Sequence, residues 1–168
     1  MKNIKNIFRN IFIGTLFLGA LASCEDQGYA DYEQETVPTS AMNGEWFIDI
    51  TDAEGNLYVS HALHNTFELD GQLWISDRIG SSPNFTGWWL ETPLDYNLGN
   101  LTFSATESLN TADESIVTIT NGKILKDAAT SPSGAVVDSI YFEAVFDYDP
   151  ETVLHFSGIE KTGFLEDE

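Results

Sequence analysis

The feature that most constrains the fold of this chain is a two-residue alternation of apolar and polar side chains. It is clearest in residues 139–148, where every second residue is apolar or aromatic: Ile140, Phe142, Ala144, Phe146 and Tyr148. Successive side chains of a strand point to opposite faces, so such a segment buries one face and leaves the other in water. From Asn43 onward the alternation recurs, and no helical stripe of apolar residues is present. The body of the protein is therefore predicted to be all-β.

Turn signals divide this body into short strands. Asp70-Gly71 is a tight-turn dipeptide, the segment 97–100 turns the chain, and Asn121-Gly122 is predicted to close a hairpin. The second and third predicted strands are also compatible with one long bent strand. The predicted strands are 45–51, 57–62, 65–70, 72–77, 86–92, 101–105, 115–120, 123–128, 139–148 and 152–161.

An antiparallel sheet of this length has two edges that need protection. About eight strands can close into a barrel, whose interior is filled by side chains or holds one small ligand. We therefore predict an all-β fold, an antiparallel up-and-down barrel of about eight strands. A β-sandwich is the alternative architecture.

The charge balance excludes one large class of partners. The 168 residues contain 7 Lys and Arg against 27 Asp and Glu, which gives a formal net charge of −20. Because nucleic acids are bound by neutralising phosphates with cations, no nucleic-acid partner is expected. An aromatic content of 12% is too high for a simple disordered acidic chain, and the length suits one domain with a packed core.

Residues 1–23 have the pattern of a secretory signal peptide. The cations Lys2, Lys5 and Arg9 precede an apolar run over residues 11–20. That run is far shorter than the roughly 20 residues that a membrane-spanning helix needs.

The apolar run is followed by Leu21-Ala22-Ser23-Cys24, which looks like the lipobox of bacterial lipoproteins. The resemblance implies cleavage before Cys24 and lipidation of Cys24, the sole cysteine of the chain. The acyl chains then tether the protein to a membrane without spanning it.

Residues 24–42 are predicted to be an acidic flexible linker, followed by a single barrel domain over residues 43–168. Glu25 and Asp26, directly after Cys24, resemble the surface-export signal of lipoproteins in some Gram-negative gut bacteria. The protein is expected in the cell envelope, anchored to a Gram-negative outer membrane. Both the periplasmic and the cell-surface face remain open.

Gly44-Glu45-Trp46 opens the first predicted strand and looks like the Gly-x-Trp signature of lipocalins and other calycins. In those barrels the tryptophan plugs one end, and a basic residue from the last strand packs over its indole. The resemblance implies that Trp46 is such a plug and that Lys161 is its cationic partner.

A longer resemblance covers the body from about Asn43 to the C-terminus. It is carried by the segment 119–134, by Asp138-Ser-Ile140, by Ser157-Gly158 and by Thr162-Gly-Phe164. These segments are similar to small bacterial lipoproteins called lipid-binding putative hydrolases, which are built as calycin-like barrels. No catalytic motif defines that family, so the resemblance implies a fold and a lipid or other hydrophobic ligand more than an activity.

The chain carries no pattern typical of catalysis or of metal binding. A serine hydrolase would need a Gly-x-Ser-x-Gly elbow, and the nearest match, Ser131-Pro-Ser133-Gly134, is interpreted as a turn. His61 and His64 are three residues apart, so they are expected on opposite faces of a strand and not in one metal site. No catalytic residue, metal or cofactor is expected.

Strand parity selects the candidate ligand-binding residues: Trp46 at the base, and Trp74, Trp88 and Phe146 along the lining. The leading interpretation is a non-catalytic, lipid-anchored barrel that binds a lipid or other hydrophobic small molecule. The alternatives are a surface interaction or carbohydrate-binding module and an esterase-like hydrolase. An apolar cavity of at least about 300 Å³ would favour the first interpretation, whereas a filled core would favour the surface module.

Overall fold

The computed structural model describes residues 37–77 and 87–167 of the chain. Within these residues, eight antiparallel strands form a closed barrel in which each strand pairs with the next and the last pairs with the first. The strands are β1 (Gly44–Thr51), β2 (Leu57–Leu69), β3 (Gln72–Ser76), β4 (Glu91–Asn97), β5 (Thr102–Leu109), β6 (Ile116–Thr130), β7 (Val136–Phe146) and β8 (Asp149–Glu160). The predicted all-β up-and-down barrel is confirmed, and the sandwich alternative is wrong.

The barrel lies wholly within one compact unit, residues 36–168. Its closure needs no other part of the chain, because β1 pairs with β8 over six consecutive positions, from Trp46 opposite Glu160 to Thr51 opposite His155. In the described part of the chain, no helix is long and apolar enough to cross a membrane. The predicted signal peptide, Cys24 and residues 25–36 lie outside the described residues.

The connections between strands define two ends of the barrel. We call the end with the turns 70–71, 98–101 and 131–135 the base. The other end carries the connections 52–56, 110–115 and 147–148 and the described ends of the β3–β4 connection, residues 77 and 87–90, and we call it the mouth. Because every strand runs antiparallel to its neighbours, successive connections alternate between the two ends.

The interior is filled by the inward-facing residues of all eight strands. Its centre is aromatic: the rings of Phe142 and Phe156 stack with centroids 4.4 Å apart, and Phe103 lies 5.8 Å from Phe142. Such pairs add about 0.5–1.5 kcal/mol each beyond the burial of their area. The fully buried aliphatic residues around them come from several strands and include Ile48, Ile50, Leu73, Ile75, Leu94, Ile119 and Ile124.

The predicted hairpin at Asn121-Gly122 is wrong, because β6 continues through it as a single strand. The pairing with both neighbours shifts there, which marks a β-bulge, and Asn121 has a φ of 56°. Gly122 is required inside the bulge, since a Cβ atom at this position would lie 2.3 Å from the carbonyl oxygen of Phe103. An Asn-Gly pair therefore serves here to bend a strand and not to end one.

The prediction of one long bent strand at residues 57–69 is confirmed by β2, which has a register shift between its pairs Ile48–Ala62 and Ile50–Val59. The predicted strand 86–92 is wrong, since β4 begins only at Glu91. The Asp77 carboxylate accepts hydrogen bonds from the backbone N–H groups of Trp88 and Leu90. Those groups are therefore not available for strand pairing, and the two adjacent tryptophans lie in the β3–β4 connection.

The packed body begins before Asn43. Residues Pro38–Ala41 form a short 3₁₀ helix at the base, Thr39 donates a hydrogen bond to Glu68, and Met42 is completely buried. The described part of the predicted linker thus covers the base of the barrel. A second 3₁₀ helix, Leu165–Asp167, follows β8 at the same end.

Candidate functional site

The base of the barrel is sealed around Trp46. Its side chain is 1% exposed, and its indole Nε1 donates to Thr66 Oγ1 at 3.0 Å. Thr66 in turn donates to the carbonyl oxygen of Met42 at 2.5 Å. Trp46 therefore plugs the base, held there by a hydrogen-bond chain that ties β1, β2 and the preceding segment together.

The expected contact between Lys161 and the indole of Trp46 is wrong. Lys161 Nζ lies 3.3 Å from Glu45 Oε2 and 6.0 Å from the ring centroid of Phe47. Glu45 and Phe47 alternate with the inward-facing Trp46, so they belong to the outer face of β1. Lys161 consequently sits outside the barrel, and Met42 covers the base instead.

Aromatic side chains gather at the mouth, on the side opposite Trp46. Trp88 Nε1 donates to the Tyr148 hydroxyl at 2.9 Å, and the Trp88 ring meets the ring of Tyr58 edge-on at 5.8 Å. Phe146 is 2% exposed and stacks on Tyr148 at 5.3 Å. The structure thus places Trp88 and Phe146 around one small cavity at the mouth, whereas Trp46 lies at the base; a ligand-binding role for these residues stays a prediction.

A small cavity lies beneath these aromatic residues. Its volume is about 20 Å³. Its lining consists of three aromatic residues and three residues of β8: Trp88, Phe146, Tyr148, Asp149, Thr152 and Leu154. A cavity of this size can hold one water molecule. It is far below the roughly 300 Å³ of a site for a small organic molecule.

Trp74 does not line the interior. Its neighbours in β3, Leu73 and Ile75, are both fully buried and belong to the core, so Trp74 points to the outer face. Its partners across the sheet are Phe67 and Pro93. The prediction that Trp74 faces inward is wrong, because its two neighbours face inward instead. The strand β3 has apolar residues on both faces, so its sequence shows no alternation from which the inward face could be chosen.

The two neighbouring histidines of β2 point to opposite faces, as predicted. His61 lies outside, where its ring stacks on Phe47 with centroids 3.9 Å apart. His64 lies inside, completely buried, and its Nδ1 is 3.0 Å from the carbonyl oxygen of Ala62. Burial lowers the pKa of His64 to about 4, so its ring is neutral at pH 7. In the sequence, the only sign that His64 would lie inside the barrel is its position in the alternation, which it shares with the inward-facing residues of β2.

A groove of about 770 Å³ lies against the outer parts of β4 to β7. Tyr141 is one of its lining residues, and the Tyr141 hydroxyl donates to Glu143 Oε1 at 2.8 Å and lies 2.9 Å from His155 Nδ1. Burial and the bond to Glu143 raise the pKa of Tyr141 to about 12. Asn121 donates to the other oxygen of Glu143, and Lys123 Nζ lies 5.3 Å from the Tyr141 ring centroid. The groove combines aromatic and polar groups.

The serine-rich β6–β7 turn is engaged with the C-terminal segment. Ser133 Oγ donates to Asp167 Oδ2 at 2.8 Å, and its backbone N–H donates to Asp167 Oδ1. The ring of His61 approaches only the backbone oxygen of Asp167, at 3.0 Å. Among residues 37–77 and 87–167 there is thus no hydrogen-bonded serine–histidine pair in this turn, and no group of three His, Cys, Asp or Glu side chains is placed to hold a metal ion.

The fold and its sealed base define a closed, eight-stranded, antiparallel up-and-down barrel. The model of the family described as lipid-binding putative hydrolase matches residues 31–165, which include all eight strands. The chain therefore belongs to this family, and its β-barrel fits the lipid-binding role for which the family is named. No curated protein matches the chain.

Proposed function

We propose that this protein is a lipid-anchored, non-catalytic barrel of the cell envelope that takes up a lipid or other hydrophobic small molecule through its mouth. The acyl anchor is proposed at Cys24 on the basis of the lipobox, with the outer membrane as the site of attachment. The observation that carries the binding role is the aromatic group at the mouth. Trp88 and Tyr148 cover an apolar interior that is sealed at the other end by Trp46.

The route into the interior runs past Trp88. This residue lies in a connection and not in a strand, it is half-buried, and its indole is held by one hydrogen bond and one edge contact. The cavity beneath it is too small for an organic ligand, and by cavity volume alone the filled interior favours the surface module. Membership of the lipid-binding family is the reason to place the lipid-binding role first, and binding inside the barrel then requires the Trp88 side chain to turn away. A ligand tail then occupies the space beside Phe146 and Leu154, which line that cavity together with Trp88.

Native mass spectrometry of residues 25–168, purified from the protein's own host and followed by lipid extraction, tests the binding role. A stoichiometric hydrophobic ligand is expected. Protein that is empty, and whose tryptophan fluorescence is unchanged by a panel of fatty acids and neutral lipids, would overturn it. The matched variants are Trp88→Ala and Trp74→Ala. The first is expected to weaken binding several-fold, whereas the second removes an outward-facing indole and leaves binding unchanged.

The anchor has its own test. Replacement Cys24→Ser in the full chain removes the only thiol that can be acylated. The protein is then expected to leave the membrane fraction and to lose labelling by an alkyne-tagged fatty acid. Retention in the membrane with the label intact would overturn the lipobox assignment.

A carbohydrate-binding role is the second candidate, and the outer groove favours it. Tyr96 and Tyr141 supply rings, while Asp95, Asn121 and Glu143 supply polar side chains around the same concave surface. A few placed polar groups beside aromatic surface are typical of sites that orient a small ligand. Calorimetry with a panel of soluble oligosaccharides tests this candidate. Binding that is lost in Tyr141→Ala supports it, and the absence of binding to the whole panel removes it.

The non-catalytic part of the proposal is supported by the turn at Ser133, whose hydroxyl is bonded directly to Asp167. A serine nucleophile needs a base that takes its proton, commonly histidine. Turnover of p-nitrophenyl esters of short and long acids is expected to stay at the background rate. Hydrolysis that disappears in Ser133→Ala would establish an esterase instead.

A further inference from the structure

Among residues 37–77 and 87–167, three buried side-chain atoms have no hydrogen-bond partner: Asn43 Oδ1, Asn65 Oδ1 and His64 Nε2. Of these, His64 Nε2 belongs to a side chain on the inward face of a strand. His64 lies on the inward face of β2 between Ala62 and Thr66, and its partner across the sheet is Trp46. The ring is edge-on to Phe156, with centroids 5.9 Å apart. Its Nε2 atom has less than 1 Å² of accessible surface and no hydrogen-bond partner.

The other ring nitrogen fixes the chemical character of this atom. His64 Nδ1 lies 3.0 Å from the carbonyl oxygen of Ala62. A carbonyl oxygen can only accept, so Nδ1 carries the proton and Nε2 of the neutral ring presents a lone pair. The hydroxyl of Thr66, two residues further along β2 on the same face, already donates to the carbonyl of Met42. Nε2 is therefore an acceptor that the protein itself does not satisfy.

An unsatisfied buried acceptor weakens a fold, and native proteins rarely contain one without a reason. The reason here follows from the position of His64. It lies in the half of the barrel nearer the base, below the apolar wall formed by Ile50, Leu154 and Phe146. A lipid that enters through the mouth with its polar end first would bring that end to Nε2 and leave its tail against this wall.

We propose that His64 Nε2 accepts a hydrogen bond from the polar end of the bound lipid, and that the ligand is an uncharged lipid with a terminal hydroxyl group. This inference rests on the proposed lipid-binding function. The hydroxyl supplies the donor that Nε2 lacks. An ionised carboxylate has no proton to donate, and no lysine or arginine in the described part of the chain is buried to balance its charge.

Binding also requires the aromatic side chains beside Nε2 to move. The stacked pair of Phe142 and Phe156 fills the centre of the interior, and Phe156 contacts the His64 ring. The ligand tail takes the place of one of these rings, which exchanges one apolar contact for another. The hydrogen bond to Nε2 is then the contact that distinguishes one lipid from another.

The test compares two probes with the same decyl chain: 1-decanol, whose hydroxyl donates and accepts, and decyl methyl ether, in which a methyl group replaces the hydroxyl proton so that the oxygen only accepts. Residues 25–168 contain the whole closed barrel, so this chain is used, and binding is followed by tryptophan fluorescence and calorimetry. One hydrogen bond to a buried acceptor corresponds to about tenfold in affinity, so decanol is expected to bind about tenfold more tightly than the ether.

Two variants separate the hydrogen bond from packing. His64→Leu removes the acceptor and is expected to bind both probes equally, while His64→Gln keeps an acceptor and retains part of the preference. Melting curves of the free variants verify that each is folded. In protein with ¹⁵N-labelled histidine, the Nε2 resonance of His64 is expected to shift with decanol and not with the ether, a readout that a purely structural role would not change.

Each outcome has a definite meaning. If wild type binds both probes equally, or binds decanoate more tightly than decanol, the assignment of His64 is wrong and the lipid-binding function stands. If neither probe nor decanoate binds, the proposed function fails, and the role of His64 fails with it. A preference for decanol that persists in His64→Leu also overturns the assignment, since another group must then hold the hydroxyl.

Discussion

At the scale of single residues, His64 is a side chain that lowers the stability of the free protein. The interior could be filled by an apolar side chain, and yet β2 places an imidazole there with one nitrogen unsatisfied. A buried acceptor left without a partner costs about 1–3 kcal/mol, which the single hydrogen bond of His64 Nδ1 to the carbonyl oxygen of Ala62 offsets only in part. His64 therefore makes the free protein less stable than its core packing would allow.

The stability of the protein is expected to fall on acidification through His64. The pKa of His64 is lowered by burial from 6.5 to about 4 in the folded protein. Between these values the unfolded chain binds a proton that the folded protein does not, so stability is complete above about pH 6.5 and is lost as the pH falls towards 4. The full loss is about 3 kcal/mol. Urea denaturation of wild type and His64→Leu from pH 7 to 4 measures it.

The difference in the free energy of unfolding between wild type and His64→Leu reports on the His64 imidazole alone, because both proteins contain the same carboxylates. The free energy of unfolding of wild type should drop relative to His64→Leu across the interval. Parallel curves would show that the imidazole is solvated or protonated in the folded protein. The same variant at pH 7 should be as stable as wild type or more stable.

The four predicted site residues show how far single positions could be inferred. Trp46 was predicted correctly as the base plug because the Gly-x-Trp pattern fixes its direction at the start of β1. Trp74 was placed on the wrong face, since the residues around it are apolar on both sides. Trp88 and Phe146 do meet, but through a loop that the sequence pattern assigned to a strand. A binding role for any of the four stays a prediction.

At the scale of elements, most strands could be predicted from the alternation of apolar and polar residues. The wrong predictions lie where a side chain accepts hydrogen bonds from the backbone and where a strand contains a bulge. Asp77 binds the backbone of Trp88 and Leu90 and so delays β4 until Glu91. Asn121 and Gly122 form a bulge because β5 and β7 both continue alongside β6. The hydrogen bonds to Asp77 and the pairing of β6 with both of its neighbours cannot be recognised in the local sequence. A loop was therefore predicted as a strand, and a bulge as a turn.

Closure of the barrel depends on a glycine in β8. A Cβ atom at Gly158 would lie 2.3 Å from the carbonyl oxygen of Phe47 and 2.7 Å from Ile48 Cγ1, so β1 and β8 must separate to admit it. Gly158→Ala is expected to lower the free energy of unfolding by about 1–3 kcal/mol. Gly99→Ala is the control, since its added methyl would meet only the end of the Asn97 side chain, at 3.2 Å. Equal stability of the two variants in urea would refute the close approach.

The C-terminal segment is held to the β6–β7 turn by Asp167. Burial raises the pKa of this carboxyl, but hydrogen bonds from Thr162 and Ser133 outweigh burial and bring it to about 2, below the ordinary value of 3.8. The resulting stability is present above about pH 4 and is lost as the pH falls towards 2. Asp167→Asn should therefore unfold at lower urea concentration than wild type at pH 7, and the gap should close towards pH 2.

Proteolysis gives a second view of the same contact. In Asp167→Asn, cleavage within the last few residues should become faster at neutral pH while the barrel remains intact. Glu166→Gln, which changes a neighbouring exposed acid, is the matched control and should behave as wild type. If both variants are cleaved equally fast, the loss of charge and not the hydrogen bonds to Ser133 and Thr162 would be responsible.

At the scale of the whole molecule, the surface charge opposes the compact state. The chain has 27 acidic residues against 7 Lys and Arg. Three of those cations lie in residues 1–23, the predicted signal peptide, which leaves four in residues 24–168. The ion pairs present among residues 37–77 and 87–167 are Lys126 with Asp138 at 2.6 Å and Lys161 with Glu45 at 3.3 Å. The acidic residues thus far outnumber the cations that could neutralise them, so repulsion between carboxylates is expected to oppose folding.

Salt is therefore expected to stabilise the protein. Raising NaCl from 10 to 200 mM shortens the screening length from about 30 Å to below about 10 Å, which weakens repulsion between carboxylates on different strands. A gain of about 1 kcal/mol would raise Tm by about 4 °C in a domain of this size. Melting of residues 25–168 followed by circular dichroism measures the change. KCl at equal ionic strength should give the same rise, whereas an additional rise with 1 mM CaCl₂ would reveal a cation site. A Tm that stays constant or falls as NaCl increases would show that the acidic side chains are already far enough apart for repulsion to be negligible.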